Sequence, residues 1–561
     1  MRISILASLG SILALTLGPC SADEFIKAVS DDAYLWPMSG AVFDTIGFHM
    51  DNLGGDMSDL SGQVRFESAG MTLEQASMPG VLIRDIGQPM VTRLSLAKGT
   101  TTSYSFPNTD GQSVDLYISA STCIQPSSAQ SSNLSMDAYV SDLALRFVGK
   151  LQLSGQSADE ASVKYNDTFK NGVFYSQFSL EESETAYIEI IAPNYDDNSW
   201  NGDWTVQILA TPYQFDGTGD TLNMTIVDTD ASSVLLATGA LSDVTSSPPY
   251  SMYVYDDGNN SIRSLNGSYC AITSGSFAAQ ASNTSITSTI LGNNTREILF
   301  AEGLESASNY QAYVVEANST VSGAGVIHDV VAFTTKTNST CQVIYGLDFC
   351  NEVSYSVPSN SSMSRDDLRN WYDDLTKGLY SAFNKSMQIV QCDVNADIRY
   401  TIMRTCDQCR ASYKRWLCLS LIPRCYESSS ISAGLDDSGL SAVSGLAYRT
   451  PGTSRNSFLN DELKPDDYME LMPCSYTCHK VMQDCPCDLQ FTCPLPQKGL
   501  FNVYGLLDDT MHNGANFELD TARCNFLGTV DAFSAAIPSP GGINLKLTVA
   551  IVSAMTFFLM R

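Results

Sequence analysis

The sequence predicts two N-terminal all-β sandwich domains followed by a mainly α-helical, disulfide-rich domain. Three observations predict this. Short apolar segments, parted by Gly, Asn, Asp and Ser, recur through the first 337 residues, and no long helical period competes over the first domain. Thirteen of the 16 cysteines crowd between Cys341 and Cys524. The 561 residues also exceed what one core sustains, since single cores stop growing near ~250–300 residues.

In chain order, residues 1–22 read as a signal peptide. Arg2 precedes the apolar run Ile3–Leu17, and Cys20-Ser21-Ala22 offers a small-residue cleavage site, so the mature chain is expected to start near Asp23. The apolar run falls short of the ~20 residues a membrane span needs. Residues 23–212 form the first predicted sandwich. Val81–Ile83, Val114–Ile118, Leu143–Leu153 and Tyr187–Ile191 are strand candidates, and Trp204–Leu209 alternates as a half-buried strand does. Residues 213–337 form the second. Leu304, Tyr310, Ala312–Val315 and Val330–Thr335 resemble the last strands of a fibronectin type III sandwich, where a corner tyrosine bonds back to the backbone. Cys123 and Cys270 are the only cysteines between residues 23 and 337, and their pairing is left open.

Residues 338–527 carry Cys341, Cys350, Cys392, Cys406, Cys409, Cys418, Cys425, Cys474, Cys478, Cys485, Cys487, Cys493 and Cys524. Zinc is the rival reading of such spacing, but an oxidising compartment favours a disulfide framework. Thirteen is odd, so one thiol is free, bridges to a partner, or pairs with a retained Cys20. Ser364 with Asp367 marks a helix start, and Leu368, Trp371, Tyr372, Leu375, Leu379 and Phe383 recur at helical spacing as a core-facing stripe. A Ser/Gly-rich loop, 427–445, separates two cysteine clusters. Residues 528–561 then pass from small residues at Ser534-Ala535-Ala536, through a Pro/Gly spacer, to the apolar run Leu547–Met560. That order matches a GPI-attachment signal with Ser534 as the attachment residue, a short tail anchor being the alternative.

Composition narrows the function. A net charge of −30 excludes a nucleic-acid binder, which needs a basic footprint. The four histidines, His49, His328, His479 and His512, sit in no nucleophile or zinc motif, so neither catalysis nor a cofactor is expected. The acidic stretches Asn194–Asn198 and Asp256–Asn260 lack calcium-loop spacing and read as solvated turns. N-glycosylation sequons stand at Asn133, Asn166, Asn223, Asn259, Asn266, Asn283, Asn293, Asn318, Asn338, Asn360 and Asn384, which suits a secreted surface.

Three blocks carry a family resemblance. Thr405–Arg410 with Tyr413–Cys418 and Ile422–Cys425 forms the first, Pro473–Cys478 with Asp484–Pro486 and Phe491–Pro494 the second, and Leu347–Pro358 an opening segment. Together they resemble the fungal stretch-activated calcium-channel subunits of the mating-induced-death family. Cys487 is an additional cysteine against that pattern. The cysteine layout is also similar to frizzled-like cysteine-rich domains, as in animal sodium-leak-channel auxiliary factors. The resemblance implies a non-enzymatic auxiliary subunit on the outer face of the plasma membrane, with a pool in the endoplasmic reticulum. It implies as partner the pore-forming alpha subunit of a four-repeat voltage-gated-like calcium channel, with calcium influx during mating and stress as the outcome. Tyr413, Lys414, Arg415, Trp416 and Arg424 are the candidate partner contacts, since bases and aromatics on a bridged frame suit an interface; the competing reading places Trp416 in the core and the bases in solvent. The alternative function is a receptor or wall-adhesion glycoprotein that grips a lipid or glycan through the cysteine-rich domain. Conduction by the chain itself would require pore-lining spans, which the sequence does not display between its terminal signals.

Overall fold

The computed structural model describes residues 90–527, apart from internal segments of which 283–295, 427–439 and 506–523 are the longest. The signal peptide, Val81–Ile83, His49, His512, Ser534 and the C-terminal apolar run lie outside the described residues, as do the sequons at Asn133, Asn283, Asn293 and Asn338.

Alternation of apolar and polar residues puts one face of a strand indoors and one outdoors. The first region has eight main strands, several of which obey this rule: β1 (Met90–Leu96), β2 (Thr101–Pro107), β3 (Val114–Ile124), β4 (Arg146–Gln152), β5 (Ser162–Thr168), β6 (Val173–Leu180), β7 (Thr185–Ile191) and β8 (Trp204–Thr211). They pair antiparallel in two sheets, ordered β1-β8-β3-β6 and β2-β7-β4-β5. Both sheets feed one core: Leu116, Ile118, Trp204 and Val206 from the first meet Phe147, Ile188 and Ile190 from the second. Trp204 is wholly buried, and its indole N–H donates to the Leu143 carbonyl at 3.0 Å. That carbonyl ends helix α1 (Met136–Leu143), so the bond ties the helix to the sheet.

The second region repeats the pattern. Strands β9 (Thr225–Thr229), β10 (Ser233–Ala237) and β12 (Ile298–Glu302) belong to one sheet, while β11 (Tyr250–Asp256), β13 (Asn309–Ala317) and β14 (Gly325–Thr334) form another. Leu236 and Leu299 of the first meet Val254, Ala312, Val314 and Phe333 of the second. Tyr310 makes the expected corner: its hydroxyl accepts from the Glu305 backbone N–H at 2.8 Å. Cys123 is bonded to Cys270, across 147 residues. Cys270 lies in a short helix, Tyr269–Ser274, so the bridge joins the first region to the second.

The cysteine-rich region has the smaller, helical share. A hairpin of β15 (Cys341–Ile344) and β16 (Tyr355–Pro358) leads into helix α2 (Arg365–Ser386). Helix α3 (Cys406–Leu421), strand β17 (Arg424–Tyr426), strands β18 (Leu446–Arg449) and β19 (Tyr468–Leu471), and helix α4 (Ser475–Asp484) follow. The Ser364 hydroxyl caps α2 by accepting from the Asp367 N–H, and Leu368, Tyr372 and Phe383 of the expected stripe are buried. Val343 of β15 packs with Val227, Leu235 and Phe300, so the cysteine-rich region shares a core with the β-region before it.

Candidate partner-binding face of the cysteine-rich region

Among the described residues six bridges hold this region: Cys341–Cys425, Cys350–Cys418, Cys392–Cys406, Cys409–Cys485, Cys474–Cys524 and Cys478–Cys493. Cys487 is disulfide-bonded too, and among the described residues no cysteine is free. The free-thiol alternative for the odd cysteine is thereby removed. Helix α3 is the hub. Its start is set by a capping box between Thr405 and Gln408, and Cys406, Cys409 and Cys418 tie it in three directions.

The run Tyr413–Trp416 splits by helical geometry, because residues three apart share a face while their neighbours turn away. Tyr413 is buried, stacked on Phe383 with ring centroids 3.7 Å apart and flanked by Phe491. Burial pushes its hydroxyl up to about 12. Trp416 is half-buried, and its indole N–H donates to the Tyr504 hydroxyl at 2.8 Å. Lys414 and Arg415 face outward. The Lys414 ammonium lies 4.7 Å from the centre of the Phe349 ring, and Arg415 pairs with Glu352 at 2.8 Å. Arg404 and Lys480 both reach the buried Asp484 carboxylate, at 3.1 and 3.2 Å.

Arg424 corrects the expectation of an exposed contact. It is only 3 % exposed, and its guanidinium lies 3.2 Å from Asp228 on β9. Asp228 also accepts from the Lys336 ammonium at 2.7 Å and the Ser356 N–H at 3.1 Å. Burial by itself would raise the Asp228 carboxyl; the charges of Lys336 and Arg424 outweigh it and hold the group below its ordinary value. Asp230 makes a second tie, accepting from the Val343 N–H at 2.8 Å, while Arg365 pairs with Glu302 and donates to the Val343 carbonyl. These groups weld the second β-region to the cysteine-rich one. Tyr413, like Arg424, is withdrawn from the surface by burial. Lys414, Arg415 and the rim of Trp416 are the expected contacts that remain on the outside.

Sequence reasoning missed the buried carboxylates. Glu470 on β19 is fully buried and accepts from Arg455 and Arg449, at 2.8 Å each. Burial tends to raise it, but the two arginines hold it below its ordinary value. A lone acid inside an apolar strand, as in Ile226-Val227-Asp228 or Tyr468-Met469-Glu470-Leu471, is the available signal. The acidic stretches are turns: the Asp196 carboxylate accepts from the Asn198 N–H, Asp197 pairs with Lys98, and Asp256 accepts from the Gly258 N–H. Among the described residues no cluster of His, Cys, Asp or Glu is placed to hold a metal. His479 is exposed, and His328 lies between the Glu316 carboxylate and the Asp220 carbonyl.

The geometry describes a class: a β-rich, multiply disulfide-bonded protein whose buried charges are structural pairs, some within a region and some joining two. A family model, described as Mid1, stretch-activated Ca2+-permeable channel component, matches residues 115–530. The chain belongs to this family of channel components. Its similar proteins include the stretch-activated cation channel yam8 of Schizosaccharomyces pombe, 36 % identical over 286 residues, which cover 50 % of this chain and 56 % of yam8. The stretch-activated cation channel MID1 of Saccharomyces cerevisiae is 31 % identical over 343 residues, or 54 % of this chain and 59 % of the relative. The chain thus spans little more than half the length of these curated relatives. A solved pre-peptidase C-terminal domain of Bacillus anthracis collagenase aligns with 24 % of the chain at 15 % identity and a TM-score of 0.15, and covers 99 % of that domain. Among the described residues no helix is long and apolar enough to cross a membrane.

Proposed function

We propose that the chain is a non-enzymatic, extracellular auxiliary subunit of a plasma-membrane calcium channel. It binds the pore-forming alpha subunit, of four-repeat type, and supports stretch- or stress-activated calcium influx by favouring that subunit's assembly or its open state. In this reading the two β-regions are sandwiches and the cysteine-rich region is a frizzled-like docking module. The sequons are glycosylated, and a GPI-type anchor at Ser534 holds the protein at the outer membrane face after passage through the endoplasmic reticulum. The observation that supports it best is the outer face of α3. In a chain of net charge −30, Lys414 and Arg415 stand on a helix fixed by three disulfides. Two bases on a rigid helix with an aromatic rim suit recognition of an acidic loop at little ordering cost.

The test is affinity purification of the tagged full chain from its native membrane, beside Lys414→Ala/Arg415→Ala. Recovery of a large four-repeat cation channel with the wild type, and its loss with the variant at unchanged surface level, is the expected outcome. Wild-type protein that returns alone, or with wall components only, would overturn the reading and favour the adhesion alternative.

A further inference from the structure

A strand at the border of a sheet offers unpaired N–H and C=O groups to any passing strand, and folded proteins block such borders. Strand β5 is of this kind. Among the described residues it pairs with β4 on one side only, and all seven of its residues are exposed except the half-buried Tyr165. Val163 is 56 % exposed. The border of the companion sheet, β6, is protected at Gln177: the Tyr165 hydroxyl accepts from the Gln177 N–H and donates to the Gln177 carbonyl. Tyr165 thereby covers β6 and leaves its own strand open. The other border of the β5 sheet, β2, closes on Pro107, which has no N–H to offer.

On β5 the outward residue after Tyr165 is Asn166, and Asn166-Asp167-Thr168 is a sequon. Asn166 is exposed, and its Oδ1 accepts from Arg146 Nε at 2.7 Å. That bond engages Oδ1 and not Nδ2, the atom a glycan is attached to. Asn360 differs: it is half-buried and its Nδ2 donates to the Leu463 carbonyl at 3.0 Å. We propose that Asn166 is a glycosylated position whose glycan guards the free border of β5 against pairing with a second copy of the chain. The inference rests on the extracellular reading, since only a chain that enters the secretory pathway meets the glycosylation machinery.

The experiment uses two differently tagged full-length copies expressed together, with one tag captured and the other measured. Asn166→Gln and Thr168→Ala remove the sequon by different routes, whereas Thr168→Ser keeps it. Because Thr168 is exposed, the second route leaves the core untouched. The expected result is a rise of about fivefold or more in cross-capture for both sequon-less chains and none for Thr168→Ser. Glycopeptide mass spectrometry of the wild type supplies the independent arm. Unchanged cross-capture in Thr168→Ala, or an unoccupied Asn166 on a chain glycosylated elsewhere, overturns this inference alone. A chain with no occupied sequon overturns the extracellular reading as well.

Discussion

The β-regions and the cysteine-rich region solve the same problem with different materials. Across 90–337, two pairs of sheets bury Trp, Phe, Ile, Leu and Val, and one bridge, Cys123–Cys270, is added between them. Beyond 340, short strands and three main helices are joined, among the described residues, by six bridges with separations from 14 to 84 residues, and Cys487 is bonded besides. The contrast teaches where each region is vulnerable. A sheet pair withstands loss of a cross-link because its core remains. Helices tied by disulfides depend on covalent closure, which restrains the unfolded chain. What couples the two is a small shared apolar core around Val343 together with the buried charged group of Asp228, Lys336 and Arg424.

The strongest way to break the comparison is Asp228→Asn. It leaves two buried cations short of their counter-charge and is expected to cost about 3–5 kcal/mol. Calorimetry of the purified protein should then show the β-regions and the cysteine-rich region melting as separate transitions; a single shared transition would mean that the weld does not couple them. Next in size is Cys409→Ser with Cys485→Ser, expected to cost about 2–5 kcal/mol and confined to the cysteine-rich region. Surface delivery should fall while the strand signal of the β-regions in circular dichroism persists.

Acid sharpens the comparison further. Asp228 and Glu470 are both held below the ordinary carboxylate value, so their stabilisation is complete above the unfolded value of about 4. It drains away as pH falls through the folded values, because the unfolded chain then takes up protons that the folded chain refuses. Acid titration followed by fluorescence should show stability level down to about pH 5 and declining below it. Asp228→Asn should decline less steeply. The smallest effects are local. Thr405→Ala removes the α3 cap and is expected to lower the melting transition of the cysteine-rich region by about 1 kcal/mol equivalent. Tyr310→Phe removes the corner bond to Glu305 and should shift only the β-regions, by about 0.5–1.5 kcal/mol. Shifts in the opposite regions would show that the division is drawn in the wrong place.

Much of the secondary structure was legible because its signals are local. The alternation Trp204–Leu209 falls within β8, and the stripe beginning at Leu368 falls within α2. The candidate contact face was legible only by residue type. Tyr413 and Arg424 read as exposed because aromatic and basic side chains are common at interfaces, and nothing adjacent revealed their burial. The partner of Arg424 stands 196 residues away, on another strand of another region.

By itself, then, the sequence determined the β-rich first half, the helix after Ser364, the corner at Tyr310 and the family, because periods of two and 3.6 residues and cysteine blocks are written along the chain. Only the tertiary structure decided which cysteines bond, which side of α3 faces out, and that Asp228, Asp230 and Arg424 join two regions. Those are long-range pairings, chosen by which distant groups a packed interior brings together and by the cost of leaving a buried charge without its opposite.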